Sequence, residues 1–187
     1  MKKAAAAEGA NVFTVGHSTR PIEEFIALLR RSGVQRVIDI RTIPKSRHNP
    51  QYNREELAQS LRRAKIAYTH VPALGGLRRA RKDSVNTGWR SASFRGFADY
   101  MQTPEFEKGL ARALKLMKTK CCALMCAESV PWRCHRSLVA DALVARGLRV
   151  KEIIGNTAPR DHRITPFARV RGTRVTYPES ATTRKAG

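Results

Sequence analysis

The residues best suited to chemistry are concentrated in one stretch, Cys126-Ala-Glu-Ser-Val-Pro-Trp-Arg-Cys-His-Arg136. An apolar run, residues 121–125, precedes the stretch, and an amphipathic run, residues 137–145, follows it. This order predicts a buried strand, a short turn and then a helix. A carboxylate, two thiols, an imidazole and guanidinium groups would therefore lie at a strand-to-helix junction, where α/β proteins commonly bind ligands.

Three residues are the candidates for acid–base catalysis, namely Glu128, Asp39 and His17. Glu128 follows the buried strand by two residues, and partial burial there would raise its pKa toward general acid–base use. Asp39 ends another apolar run, so two carboxylates at one edge would activate water or stabilise a cationic sugar transition state. The alternative is that both carboxylates form ion pairs with arginines such as Arg41. His17 follows a glycine and either faces the pocket or caps a loop.

The thiols allow two other interpretations. Cys134 and His135 are predicted in the first turn of a helix, whose dipole lowers the pKa of a thiol, so Cys134 is an alternative nucleophile. Cys126, Cys134 and His135 would also supply three zinc ligands, but their spacing is not that of a zinc finger or knuckle. We therefore predict no metal and no cofactor, and Cys126 is expected to be a strand-end core residue.

Residues 37–41, Val-Ile-Asp-Ile-Arg, are similar to the strand of rhodaneses and dual-specificity phosphatases that ends in Asp and Arg. Those families use a Cys-x5-Arg loop whose backbone N–H groups surround an anion. Here six residues separate Cys126 from Arg133, and one of them is Pro131, which has no N–H. Sulfur or phosphate transfer is therefore a minor alternative.

The order of the elements predicts an α/β fold, a single Rossmann-like domain with a mainly parallel five-stranded sheet flanked by helices. The predicted strands are 12–15, 37–40, 66–71, 121–125 and 148–154. The predicted helices follow Thr19 and Asn53 and cover 93–101, 104–117 and 131–146, and a hairpin is predicted over 167–177. The domain spans 12–178, between a flexible leader (1–11) and a flexible tail (179–187). The carboxyl ends of the strands would place most of the unusual polar residues on one rim.

The charge balance points to a polyanionic partner. The chain has 36 Lys and Arg against 15 Asp and Glu, a formal net charge of +21. Arginine interleaved with aromatic residues is typical of phosphate contact with base stacking, so we expect nucleic acid, with DNA favoured. The alternative is a solvated loop with Trp89 and Phe94 docked on the core. The candidate substrate-binding residues are Ser18, Arg41, Ser46, Tyr52, Asn53, Gly75, Gly76, Trp89, Arg90, Phe94, Arg95, Cys126, Cys134, His135 and Arg136.

Several classes of protein are disfavoured. No apolar run is long enough to span a membrane, and the N-terminus lacks the apolar core of a signal peptide. Four cysteines, two of them adjacent, do not resemble a disulfide framework, so a cytoplasmic protein with reduced thiols and no membrane partner is expected. The absence of Gly-x-Gly-x-x-Gly and of a P-loop argues against NAD and ATP. The oligomeric state is not predicted.

Several ordered motifs resemble the domain of unknown function 488 family, over roughly residues 12–178. They are Thr14-Val-Gly-His-Ser18, Asp39-Ile-Arg41 with Pro44 and Ser46, Asn49-Pro-Gln-Tyr-Asn53, Leu74-Gly-Gly76, Gly88-Trp-Arg90, Ser93-Phe-Arg95, Cys126-Ala-Glu128, Cys134-His-Arg136, Thr165-Pro-Phe-Ala-Arg-Val170 and Tyr177-Pro178. The resemblance implies a compact Rossmann-like domain and a shared rim site, and it implies no settled activity.

The leading hypothesis is a metal-independent DNA glycosylase-like hydrolase that removes a modified or damaged base, in repair or in defence against foreign DNA. Arg41, Arg90 and Arg95 would hold phosphates while a nucleotide is extruded. Trp89 or Tyr52 would stack on the base or fill the vacated stack.

In the same mechanism, Asp39 or Glu128 would orient water or stabilise the sugar, and His17, Cys134 and His135 would contact the base or support the carboxylates. Two alternatives stay open. One is a non-catalytic DNA- or RNA-binding module, and the other is a thiol-dependent small-molecule enzyme with Cys134 as nucleophile.

Overall fold

The computed structural model describes residues 12–179. The predicted leader, and the predicted tail beyond Glu179, lie outside the described residues. Within the described range, no helix is both long enough and apolar enough to cross a membrane.

The central sheet is mainly parallel, as the sequence predicts. Its strands are β1 (Val12–Gly16), β2 (Arg36–Asp39), β3 (Ala67–His70), β4 (Cys122–Cys126), β5 (Val150–Ile153) and β6 (Arg160–Asp161). Their spatial order is β3-β2-β4-β1-β5-β6, and only β6 runs antiparallel to its neighbour. The α/β fold is therefore confirmed, while the predicted count of five strands is wrong by one. β6 has two residues, both exposed, so it leaves no apolar pattern in the sequence.

Five helices cover the two faces of the sheet: α1 (Ile22–Arg31), α2 (Arg54–Arg63), α3 (Ala92–Tyr100), α4 (Pro104–Met117) and α5 (Arg136–Val144). Phe25 and Leu29 of α1 and Leu57 and Leu61 of α2 belong to one hydrophobic core. The helices α3, α4 and α5 contribute to a second core, on the other face. A separate hairpin, β7 (Arg169–Arg171) and β8 (Arg174–Thr176), forms where one was predicted.

The helix predicted to begin at Pro131 begins instead at Arg136. Residues Pro131–Arg133 form a single 3-10 turn, and Cys134 has an extended backbone with φ −135° and ψ 139°. Cys134 and His135 therefore precede α5 rather than forming its first turn. The residues between β4 and α5 are referred to below as the 127–135 loop.

The 127–135 loop is held against the end of β1. Gly16 is paired with Cys126 in the sheet register, and the His17 N–H donates to the Cys126 carbonyl at 3.0 Å. A side chain at position 16 would collide with the Glu128 carbonyl, so glycine permits this close approach. The chain leaving β1 continues into α1 on one face, and the chain leaving β4 continues into α5 on the other. A crevice opens between such diverging connections.

Candidate functional site

A cavity of about 550 Å³ lies at the carboxyl ends of β1, β2 and β4. This is within the usual size range of small-molecule and cofactor sites. Among its lining residues, Arg41, Lys45 and Arg133 are cationic, and Glu128 carries a carboxylate. The excess of positive charge favours an anionic ligand.

Arg41 and Asp39 form a buried bidentate ion pair. Arg41 Nε donates to Asp39 Oδ1 at 2.9 Å, and Arg41 Nη2 donates to Oδ2 at 2.6 Å. Tyr68 donates its hydroxyl to Oδ2 at 2.7 Å, and the Asp39 side chain is fully buried. Both carboxylate oxygens are thus occupied, which is the ion-pair alternative and leaves neither oxygen unpartnered for a water molecule. Asp39 instead fixes the orientation of Arg41, which lines the cavity.

His17 is buried beside Arg41. Its Nδ1 lies 2.8 Å from the Ser18 carbonyl, which only accepts, so the partners assign the proton to Nδ1. Nε2 is then the acceptor for Arg41 Nη1 at 3.3 Å. Burial, helped by the charge of Arg41, lowers the pKa of His17 to about 4. His17 is therefore neutral at pH 7 and orients the guanidinium rather than serving as an acid.

Cys126 and Cys134 form a hydrogen-bonded thiol pair at the cavity floor. This hydrogen bond lowers the pKa of Cys134 well below the ordinary value, and His135 and Arg136 lower it further. The same contact, with burial, raises the pKa of Cys126 well above its ordinary value. The Arg136 N–H, at the start of α5, donates to Cys134 Sγ at 3.5 Å. The Cys126 hydrogen bond thus favours the charged form of Cys134, while burial opposes it.

His135 completes the thiol cluster. Its Nδ1 lies 3.8 Å from Cys134 Sγ and 3.9 Å from Cys126 Sγ, while its buried Nε2 has no hydrogen-bond partner among residues 12–179. A side chain at Gly76 would collide with the His135 ring, so glycine there lets the 75–76 turn pack against it. The three donor atoms lie within 4.8 Å of one another and are of the types that zinc prefers. The structure thus brings together Cys126, Cys134 and His135, although their spacing in the sequence is not that of a known zinc motif.

Glu128 lies at the cavity but is exposed, so the partial burial expected for it is absent. Arg136 was expected to bind substrate, yet its side chain is fully buried. It donates to the main-chain carbonyl of Glu128 and, at 2.8 Å, to that of Ser129. Arg136 therefore holds the 127–135 loop from within the core.

The predicted base-stacking residues are mostly in the core. Tyr52 is fully buried, stacked on His17 with ring centroids 4.0 Å apart, and it donates its hydroxyl to the Arg20 carbonyl. Trp89 packs against three other aromatic rings, at centroid distances of 4.6, 4.9 and 5.6 Å. Tyr52 is therefore not accessible to a base, and Trp89 docks on the core as the alternative predicts, with part of its surface still exposed.

The other predicted binding residues are divided between the cavity and the scaffold. Ser18, Ser46, Gly76 and Phe94 line the cavity with the thiol cluster. Asn53 accepts from the Ser46 N–H at 2.8 Å, and Gly75 packs against Thr42, so both shape the wall. Arg95 donates to the Trp89 carbonyl at 3.0 and 3.1 Å, and Arg90 is exposed outside the cavity.

Sequence reasoning missed other cavity residues. Lys45 and Arg133 supply positive charge, and Ile43 and Leu77 are exposed apolar side chains at the same cavity. The sequence signal that could have indicated these residues is their position. Ile43 and Lys45 follow β2, Arg133 lies in the 127–135 loop, and Leu77 follows the Gly75-Gly76 pair.

A second buried polar cluster lies apart from the cavity. His162 contacts Asp141 Oδ1 through Nε2 at 2.7 Å and Glu152 Oε1 through Nδ1 at 2.8 Å. Asp141 also accepts from Thr165 and from the Tyr177 hydroxyl at 2.9 Å. Because both ring nitrogens are occupied, this cluster is a structural tie between α5 and the C-terminal segment.

The comparisons with known proteins agree with the resemblance seen in the motifs. A family model described as Domain of unknown function DUF488 matches residues 21–143, more than half of the chain. The matched range includes Arg41, Gly76 and the whole thiol cluster. No curated protein and no solved structure matches the chain. On the family match, the chain belongs to the DUF488 family.

Proposed function

We propose that this protein is a cysteine-dependent enzyme in which the Cys134 thiolate attacks a substrate whose anionic group binds Arg41. The observation that carries the proposal is the cluster of Cys134, Cys126 and His135 on the floor of a cationic cavity. A thiolate is the nucleophilic form of cysteine, and helix N-termini and neighbouring cations stabilise it. Structural buried cysteines, such as Cys122, instead have a raised pKa.

The surrounding groups suit such a reaction. The Cys134 sulfur would form a bond to an electrophilic atom of the substrate, and the leaving group would depart with the electron pair. The Cys126 thiol and His135 are the nearest groups able to supply a proton to the leaving group. Arg41, fixed by Asp39 and His17, would bind the anionic group without reorganisation, which favours catalysis.

The test is the pH profile of alkylation by iodoacetamide, mapped to each cysteine by mass spectrometry. Cys134 should react near pH 7, whereas Cys122, whose pKa burial raises to about 11, should stay unmodified. Cys126→Ala should shift the Cys134 profile to higher pH because it removes the supporting thiol. Cys134→Ser should abolish the fast phase.

Two outcomes contradict the proposal. One is a Cys134 that is alkylated no faster than Cys122 near pH 7 in the folded protein. The other is purification with one equivalent of zinc that Cys134→Ser releases, because the sulfur would then be a metal ligand rather than a nucleophile.

The second candidate is the metal-independent DNA glycosylase-like hydrolase acting on a modified or damaged base. The observation that favours it is Glu128, the carboxylate lining a cavity that otherwise carries cations. In this form of the hypothesis Glu128 alone orients water, since Asp39 is occupied by Arg41. A net charge of +21 supports nucleic acid, with DNA favoured, as the partner.

Incubation with modified-base DNA, analysed for released bases and alkali-labile sites, separates these candidates. A glycosylase would release bases, lose this activity in Glu128→Gln and keep it in Cys134→Ser, whereas the thiol enzyme would release no base from DNA. Nucleic-acid binding that survives both substitutions, with no product from any substrate, would support the non-catalytic module. A cytoplasmic location is part of the proposal, because a reducing compartment keeps the thiol pair reduced.

A further inference from the structure

The 127–135 loop presents a tryptophan to solvent. Trp132 lies in the single 3-10 turn of the loop, and 58% of its surface is exposed. Its neighbour Pro131 is buried, so the turn is anchored while the indole remains outside the core. Neither the thiol chemistry nor the glycosylase hypothesis uses this side chain.

The loop separates two cavities. Arg133 lines the cavity with the thiol cluster, and Trp132 lines a second cavity of about 750 Å³ together with Arg160 and Arg163. The Arg160 guanidinium carbon lies 5.3 Å from the centre of the Trp132 ring, a cation–π distance. An aromatic ring between two cationic cavities resembles the general arrangement by which proteins hold single-stranded nucleic acid.

The charge of the second cavity is positive once its ion pairs are counted. Glu152 is paired with Arg160 at 2.9 Å, and Asp161 is paired with Arg149 at 3.1 Å. By contrast, neither Arg133 nor Arg163 forms an ion pair within residues 12–179. These two guanidinium groups are therefore available to phosphates on either side of the indole.

We propose that the 127–135 loop is a ridge that binds single-stranded nucleic acid, with one base stacked on Trp132 and phosphates held by Arg133 and Arg163. The stacking role that sequence reasoning gave to Trp89 is thereby reassigned to Trp132. A single strand fits better than an intact duplex because its bases are free to stack on a side chain. The inference rests on the proposed nucleic-acid partner and not on the thiol chemistry.

The test measures the affinity for fluorescently labelled oligothymidine by anisotropy over a range of salt concentrations. Trp132→Ala should weaken binding about tenfold, and Trp132→Phe should retain most of the affinity because it keeps a stacking surface. Arg163→Ala should weaken binding and reduce the slope of log K against log salt by about one. Val170→Ala, an exposed apolar residue of the β7–β8 hairpin, is the matched control and should change nothing.

A second readout does not depend on affinity. Oligothymidine should quench the intrinsic fluorescence of the wild-type protein, and Trp132→Phe should remove most of that quenching because Trp89, which lines the same cavity, is packed among other rings and only partly exposed.

Equal affinities of Trp132→Ala and Val170→Ala would overturn the ridge while leaving the nucleic-acid partner in place. Absence of any salt-dependent binding by the wild-type protein would overturn both. Neither result changes the alkylation profile of Cys134, so the two proposals fail separately.

Discussion

Two buried histidines of this protein have opposite charge states. His17 has 2% of its surface exposed, and burial lowers its pKa to about 4. Burial alone would also lower the pKa of His162, but its hydrogen bonds to Asp141 and Glu152 outweigh burial and raise the pKa to about 9. At pH 7 His17 is neutral beside a guanidinium, and His162 is charged between two carboxylates. Burial decides the neutral state of His17, whereas at His162 the charge of the two carboxylate partners outweighs burial.

The comparison also separates structure from candidate function. Around His162, both ring nitrogens and both Asp141 oxygens have protein partners, so neither group has a free polar atom for a ligand, although His162 and Glu152 line the second cavity. Around His17, the chain of contacts ends at Arg41, which lines the cavity together with Cys134, a cysteine whose pKa is lowered. A buried network whose last member is exposed to a cavity is the better candidate for function.

The largest expected effect comes from breaking the His162 cluster at its fully buried carboxylate. Asp141→Asn leaves the charged ring with Glu152 alone, so the free energy of unfolding should fall by about 3 kcal/mol in urea denaturation. Asp161→Asn, which removes an exposed partner of Arg149, is the control and should leave stability unchanged. A loss no larger than that of the control would mean that the Asp141 contacts add nothing to stability.

An effect of similar size is the alkaline loss of stability due to His162. Its folded pKa of about 9 lies above the ordinary value of 6.5, so its contribution is complete below pH 6.5 and lost as pH rises through 9. The loss should be roughly 3 kcal/mol, from 1.36 kcal/mol per pKa unit. Urea unfolding between these pH values measures it, and His162→Gln should remove the pH dependence. A wild-type curve that is flat over this range would contradict the assigned charge.

His17 should give the opposite pH dependence. Its folded pKa of about 4 lies below 6.5, so the unfolded chain binds the proton more readily and stability falls as pH drops through this window. The loss down to about pH 4.5 should be roughly 2 kcal/mol, since titration of the carboxylates limits the lower end. His17→Gln should abolish this loss and leave the alkaline limb intact. Ring nitrogen chemical shifts at pH 7 should show the neutral tautomer with the proton on Nδ1.

The smallest effects come from deleting one hydroxyl in each network. Tyr177→Phe removes a fully buried donor to Asp141, and the cost should be about 2 kcal/mol. Tyr68→Phe removes the donor to Asp39, but Arg41 still pairs that carboxylate, so the cost should be about 1 kcal/mol. Chemical denaturation of both variants measures the difference. Equal costs would show that the two carboxylates are equally well satisfied by their remaining partners.

Local sequence patterns were sufficient to predict the main strands of the sheet and the edge on which the candidate site lies. The apolar runs predicted the five main strands in their chain order. The ends of these runs predicted the edge of the sheet at which Gly16, Asp39 and Cys126 lie close together. These features follow from side-chain periodicity and strand–helix alternation, which are local properties. β6 was missed because two exposed residues carry no periodic signal.

The composition of the site was partly determined by the sequence as well. The stretch from Cys126 to Arg136 does contain the cluster of sulfurs and imidazole that forms the cavity floor. The role of each residue in this stretch could not be predicted from the sequence, because it depends on which groups surround the side chain in the fold. Arg136 is buried beneath the loop, and Glu128 is exposed above it, although both lie in the same stretch.

Only the tertiary structure decided which polar groups remain available. Asp39 and Arg41 are two residues apart in the sequence and form an ion pair in the fold. Asp39 is buried in this pair, whereas Arg41 also lines the cavity. Trp89 and Trp132 both lie in arginine-rich segments, and packing covers part of the first with aromatic rings and leaves most of the second exposed. Sequence determines which groups are present, while long-range contacts determine desolvation and pairing, and these set the charge and reactivity of each group.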